Sequence, residues 1–295
     1  MSRMFRKILV LARGPDPAQP AVQRAMLLAR RNTRLAVLDL VHEPMLDSYM
    51  GNSAIYEPLR ARVVAERALQ VKQLVAALHE RGLDADGKAA WDYPLDEAVV
   101  REALSQNADL VVIAPGARGA GFTHNEWRMV SACPVPVLIV KTPAETKYRH
   151  IVAAVDPFHT HSKPDDLDLA ILAHAHDLQT GTRATLSALH CFVPFEYFGS
   201  DLTIPASDAP ATDARREEVE KLLRQAGLQA SAARVEIGPT HEVINKLVDR
   251  DEASVVVMGV LARGRIKEWL IGSTAERVLH GVPVDVLAVK PAHPR

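Results

Sequence analysis

Near the end of the chain, GVLARGRIKEWLIGST occupies Gly259 to Thr274, between a short apolar run, SVVVM (Ser254 to Met258), and a helical pattern, AERVLHG. Gly259 and Gly272 bracket a basic loop, and Gly272, Ser273 and Thr274 fall at an expected helix start. Glycines let backbone N–H groups approach phosphate without a Cβ in the way. A helix N-terminus adds unpaired N–H donors and a partial positive charge. Arg263, Arg265 and Lys267 are available as counter-charge. Anion binding is one use of such a stretch. The other is capping alone, because Ser273 and Glu276 have the spacing of a capping box.

Covalent and metal chemistry find less support. There is no G-x-S-x-G elbow, and Lys267 does not follow a Walker glycine pattern, so no catalytic residue is expected and the chain does not read as an enzyme, slow ATP hydrolysis staying open as a third alternative. His174 and His176 are two apart on an expected helix and point to different sides; His159 and His161 flank a turn. No metal site is expected. The two cysteines, Cys133 and Cys191, lie in different halves without ligand spacing, which fits a reducing compartment. The balance of 35 basic against 36 acidic residues creates no field that would recruit nucleic acid or acidic lipid. No apolar run approaches membrane-spanning length, and MSRMFRKILVLARG lacks the apolar core of a signal peptide. A cytoplasmic location is expected.

The elements that would position these residues are written twice. RKILVLARGPD (from Arg6) parallels RHIVAAVDPFH (from Arg149), an offset of 143 residues. ADLVVIA (from Ala108) parallels ASVVVMG (from Ala253) at 145, and CPVPVLIVK (from Cys133) parallels VPVDVLAVK (from Val282) at 149. Each half alternates short runs rich in Val, Ile and Leu with helical stretches. The first half offers strands at Ile8–Ala12, Leu35–Val41, Lys88–Trp91, Leu110–Ala114 and Val135–Val140. The second offers Ile151–Val155, Ala184–His190, Ala232–Glu236, Val255–Met258 and Val284–Val289. Continuous apolar runs suit parallel strands buried on both faces. Helices are expected over Ala18–Arg31, Leu59–Arg81 and Asp213–Ala226, the last two closed by Gly82 and Gly227. The fold class is α/β: two tandem, doubly wound, mainly parallel five-stranded sheets of Rossmann-like type. The expected domains are 1–142 and 149–295, joined by a linker at 143–148.

Ligands of such sheets bind beyond the carboxyl ends of strands, where strand order reverses. In the second half the loops there are expected to begin with Asp156, Cys191 and Gly259. Proline-punctuated apolar segments follow strand two in both halves, Glu43 to Pro58 and Phe192 to Pro210. Phe192, Phe195, Tyr197, Phe198 and Ile204 would be costly to leave in water. They either cover the core or the contact between halves, or they line a cavity for an apolar, acyl or lipid-like ligand.

The strand pattern, the closing GSTAERVL…VPVDVLAVK and the duplication resemble a tandem universal stress protein of the E-type, over essentially the whole chain. The resemblance implies a fold akin to adenine nucleotide alpha hydrolases, with the halves packed as an intramolecular pseudo-dimer through Val135–Lys141 and Val284–Lys290, and it is compatible with a homodimer. It implies a non-catalytic role in the stress response. Nucleotide-binding members carry Gly, two residues, Gly, nine residues, Gly, then Ser or Thr. Gly259, Gly272 and Ser273 fall on that frame, and Ala262 replaces the middle glycine. The family's adenine-side aspartate corresponds to Asp156, and its contact after strand two to Cys191. The candidate site for ATP or another adenine nucleotide is therefore Asp156, Cys191, Met258, Gly259, Ala262, Arg263, Gly272, Ser273 and Thr274. In the first half Arg13 stands at the aspartate position, and the loop from Ala114 to Thr123 has nine positions against thirteen. That half reads as degenerate. The alternative function is a nucleotide-independent carrier or interaction protein using the apolar segments.

Overall fold

The computed structural model describes residues 5–115, 124–143, 147–158, 164, 166–194, 209–260, 262–263, 270–271 and 273–291. The chain divides into two compact units, Met4–Thr146 and Lys147–Arg295. In the first, the strands are β1 (Lys7–Leu11), β2 (Arg34–Val41), β3 (Asp84–Trp91), β4 (Leu110–Ile113) and β5 (Val137–Ile139), in the order β3-β2-β1-β4-β5. The helices are α1 (Pro20–Leu28), α2 (Pro44–Asp47), α3 (Ser53–Glu80), α4 (Leu95–Ser105) and α5 (His124–Ala132). Every pairing within this sheet is parallel.

The second unit repeats the plan. Its strands β6 (His150–Ala154), β7 (Thr185–Phe192), β8 (Ala233–Ile237), β9 (Val255–Gly259) and β12 (Asp285–Val289) run in the order β8-β7-β6-β9-β12, again in parallel. Its helices are α6 (Leu167–Thr182), α7 (Ala209–Gln225), α8 (Thr240–Asp249) and α9 (Ser273–Gly281). A short antiparallel ribbon of β10 (Ala262–Arg263) and β11 (Leu270–Ile271) lies between β9 and α9. Right-handed crossovers put α6 and α7 on one face of the sheet and α8 and α9 on the other, and within each pair the helices touch.

Burial explains which strands were easy to read. All of β4 and all of β12 are buried, the condition under which a run of apolar residues is needed on both faces. Only Ala85 of the edge strand β3 is buried, so DADGKAAW carries no apolar run, and only its last four residues looked like a strand. Helix α3 begins at Ser53, six residues before the expected start at Leu59. Pro58 lies inside it; the carbonyl that a proline leaves unbonded belongs to exposed Ala54. The segment Glu43 to Pro58, expected as a loop, is thus mostly α2 and the first turns of α3. Gly82 and Gly227 end their helices at φ +76° and +72°, where a side chain would be strained.

Candidate functional site

In the second unit the chain winds outward from β6 to β8 and then returns to β9 on the other side of β6. Strand order therefore reverses between β6 and β9, which opens a crevice at their carboxyl ends. Asp156 follows β6, Gly259 ends β9, and Ala154 is in register with Met258. These three candidates meet at the mouth of one crevice. Two of the expected loops begin later than the sequence suggested. Cys191 and Phe192 extend β7 by pairing with Glu236 and Ile237, and Gly259 ends β9 by pairing with Val289.

Alternation along β7 then decides which side chains enter the crevice. His190 and Phe192 face α7, whereas the Cys191 thiol faces α8 and hydrogen-bonds the Thr240 side chain. Burial pushes that thiol up to about 12, partly offset by the Thr240 bond, so it is neither a thiolate nor a partner of Asp156. Met258, adjacent to Gly259 in β9, likewise points away from α6. Gly259 itself has a packing reason: a Cβ there would stand 2.7 Å from Leu167 Cδ2 and 3.0 Å from Cγ. Leu167 opens α6 and is buried over the end of β9.

Asp156 sits in a polar corner. Its backbone N–H donates to Asp168 Oδ1 at 3.2 Å, and Asp168, in the first turn of α6, is buried. The Asp156 Oδ1 lies 3.8 Å from His190 Nδ1. Guanidinium groups only donate, so His190 Nε2 accepts from Arg215 at 3.4 Å. The ring hydrogen then sits on Nδ1, facing Val155 O at 3.3 Å and the Asp156 carboxylate. Arg215 also lies over two phenyl rings, 4.7 Å from the centroid of Phe158 and 4.2 Å from that of Phe192. The sequence reading missed His190, Phe158 and Arg215. Period-two alternation from Phe192 was the available signal for His190 alone.

The rest of the candidate set is distributed as follows. Ala262 and Arg263 form β10, in antiparallel register with Ile271 and Leu270 of β11. Ser273 opens α9, and Thr274 is half-buried next to buried Ala275. Gly272, Arg265, Lys267, Phe195, Tyr197, Phe198, Ile204, His159, His161 and Thr123 lie outside the described residues. Half-buried His174 is held below the usual imidazole range by desolvation, with Asp177 opposing, while His176 bonds Gln179. Among the described residues no group of three metal-ligating side chains converges, and no helix is long and apolar enough to cross a membrane.

The first unit carries different chemistry at the matching places. Arg13 donates its backbone N–H to Gln19 Oε1 at 2.7 Å, the counterpart of the Asp156–Asp168 bond. On β2, fully buried Asp39 occupies the register position of His190 and is ion-paired with Arg67 of α3 at 2.8 Å. A cavity of about 470 Å³ lies between α3 and Trp91, lined by Glu57, Arg60, Ala61, Val64 and Ala65. Met45, Tyr49, Met50 and Ile55, around α2, are exposed rather than turned to a core.

The chain is similar to universal stress protein E of Photorhabdus laumondii, 24% identical over 305 residues covering 97% of this chain and 95% of that protein. It is similar to universal stress protein E of Escherichia coli K12, 25% identical over 307 residues covering 98% and 95%. Among solved structures it resembles a Pseudomonas aeruginosa PAO1 protein of unknown function at TM-score 0.71 and 24% identity, covering 98% of this chain and 93% of that one. A universal stress protein from Archaeoglobus fulgidus shares the fold at TM-score 0.60 and 18% identity, covering 97% and 98%. The model of the universal stress protein family matches residues 4–141 and again 147–290. With both units so matched, the chain belongs to the universal stress protein family, as a tandem member like the E-type proteins.

Proposed function

We propose that this chain is a non-catalytic stress-response binding protein whose second unit takes an adenine nucleotide at the crevice between β6 and β9. The observation that supports this most directly is the convergence of Asp156 with the end of β9 at the reversal of strand order, where the first unit has Arg13 instead. The Asp156 carboxylate would accept hydrogen bonds from the adenine amino group or a hydroxyl. Gly259, Ala262, Arg263, Gly272, Ser273 and Thr274 belong to the segment that would surround the phosphates. Cys191 would contribute backbone only, since its thiol faces α8. Association of the units as a pseudo-dimer and residence in the cytoplasm belong to the same proposal.

Calorimetric titration of ATP into the wild type and Asp156→Ala tests it. Saturable binding in the wild type that is lost or weakened at least tenfold in the variant is the expected result. Undiminished binding in the variant, or no binding in either, refutes the reading. Exposed Met45, Tyr49, Met50 and Ile55 favour a second activity, docking of an apolar ligand or protein surface on the first unit. A Met45→Glu, Met50→Glu variant should then bind less of an apolar fluorescent dye than the wild type; equal dye binding removes that reading.

A further inference from the structure

Across the His190 ring from Asp156, on the side of the crevice where the base of a nucleotide would sit, the protein has placed a flat cation of its own. The Arg215 guanidinium lies over Phe158 and Phe192 at 4.7 and 4.2 Å, within the distance at which a cation is held by a ring face. Those two rings make no contact with each other; the guanidinium stands against both, as does the buried His190 ring on β7, 5.2 Å from Phe158 and 6.5 Å from Phe192. Planar heteroaromatic rings use such faces in the same way. The site is thus furnished for one planar group and filled by an internal one.

The attachments of Arg215 are of a kind that can be exchanged. It bonds His190 Nε2 at 3.4 Å, a long bond to a neutral acceptor, and no carboxylate among the described residues pairs with it. Half-exposed, it can swing from α7 into solvent without stranding a buried charge. Phe158 is itself 39% exposed, so this edge of the stack opens to water. The first unit shows the contrasting arrangement. There Asp39, at the register position of His190, is fully buried and bound by Arg67 at 2.8 Å, and releasing that arginine would leave a buried carboxylate unpaired.

Resting on the nucleotide reading above, we infer that Arg215 is a displaceable occupant of the base subsite: an adenine ring binds against Phe158 and Phe192 by taking the place of the guanidinium. Apparent affinity is then lowered by the fraction of molecules in which Arg215 is seated. Two cation–ring contacts at a half-exposed position amount to about a tenfold bias. Replacing the arginine removes the competitor and leaves both rings for the ligand.

The experiment titrates ATP and adenosine, calorimetrically, into the wild type and Arg215→Ala. Binding of both ligands about tenfold tighter in the variant is the expected result. Adenosine separates the two effects of losing a cation, since it has no phosphate to be attracted. If the wild type binds ATP and the variant binds ATP less tightly with adenosine unchanged, Arg215 serves the phosphates, and its role as competitor is overturned while the nucleotide reading stands. Equal affinities for both ligands overturn it likewise. If neither protein binds either ligand, both readings fall. Should Arg215→Ala not fold, Arg215→Lys keeps charge and stem but loses the planar fork, and a smaller gain in the same direction is expected. In the wild type, nuclear magnetic resonance should find the Arg215 δ-methylene shifted upfield by the two rings and released on saturation with ATP; an unmoved signal in the saturated complex refutes displacement.

Discussion

Whether Gly259 serves a ligand or a leucine is decided by adding one methyl group. In Gly259→Ala the new Cβ would meet Leu167 Cδ2, Cγ and Cδ1 at 2.7, 3.0 and 3.2 Å. Leu167 is 3% exposed and opens α6, so it has no vacant rotamer space to retreat into. Overpacking of this size costs about 1–3 kcal/mol. Against it stands the gain from replacing a strand glycine, about 0.5–1 kcal/mol. A net loss of about 1–2 kcal/mol is expected, read as a lower urea midpoint with unchanged slope and as faster hydrogen exchange in β9 and α6. Leu167→Ala alone should cost about 2–3 kcal/mol, at the low end for a buried leucine because it lies at a helix end. In that background the added methyl group finds room, and combining it with Gly259→Ala should be neutral or stabilising. The double-mutant cycle should therefore show coupling of about 1–3 kcal/mol. Additive effects, or a Gly259→Ala protein as stable as wild type that has lost ATP binding, would refute the packing argument and return the glycine to the ligand.

Two further predictions concern the same unit. Tyr148 Oη donates to Asp285 Oδ2 at 2.6 Å, both groups buried, so Tyr148→Phe should cost about 1–3 kcal/mol in urea unfolding, and a loss under about 0.5 kcal/mol would mean that Asp285 is adequately solvated without it. The Cys191 thiol, raised by burial from 9.0 to about 12, should be alkylated far more slowly in the native protein at pH 9 than in urea, with peptide mapping to locate the adduct. Its sign in stability follows: the contribution is fully present below pH 9, the unfolded value, and is lost as pH rises toward 12, so Cys191→Ala should flatten the alkaline fall in urea midpoint.

The duplication made the fold readable, because two weak signals at matching positions are stronger than one. The strands it found most easily, β4 and β12, are the ones buried on both faces, and the one it truncated, β3, is an edge. Pro58 misplaced the start of α3 because a proline rule describes helix interiors, and an exposed second turn tolerates the broken bond. The crevice was legible in outline. Asp156, Met258 and Gly259 were placed together by strand order alone, which fixes strand ends but not the direction of side chains. The direction of the Cys191 side chain was hidden for that reason: ending the strand at His190, two residues early, concealed that 190 and 192 share a face and 191 opposes them. Arg215 was invisible because α7 is a helix of many charges, and nothing in ARREEVEKLLRQ marks which arginine turns inward. Leu167 was hidden in the same way, since its role depends on how closely α6 approaches β9.

What distinguishes the two units is how each satisfies one buried position on its second strand. A buried aspartate there is matched by a cation: Asp39 binds Arg67, and the surrounding space is committed to structure. A histidine can be buried neutral, needing only one donor and one acceptor, which Arg215 and the Val155 carbonyl satisfy. The arginine opposite a histidine is then held by ring faces and a single long hydrogen bond, and its departure costs little. The difference between aspartate and histidine at this register therefore changes more than a charge. It converts a locked corner into one that can exchange its occupant, in the same unit that keeps Asp156 at the reversal of strand order. A reversed substitution, His190→Asp, should draw Arg215 into an ion pair like that of Arg67 and close the crevice to adenosine as well as to ATP. Retention of wild-type adenosine affinity in that variant would show that the planar site lies elsewhere.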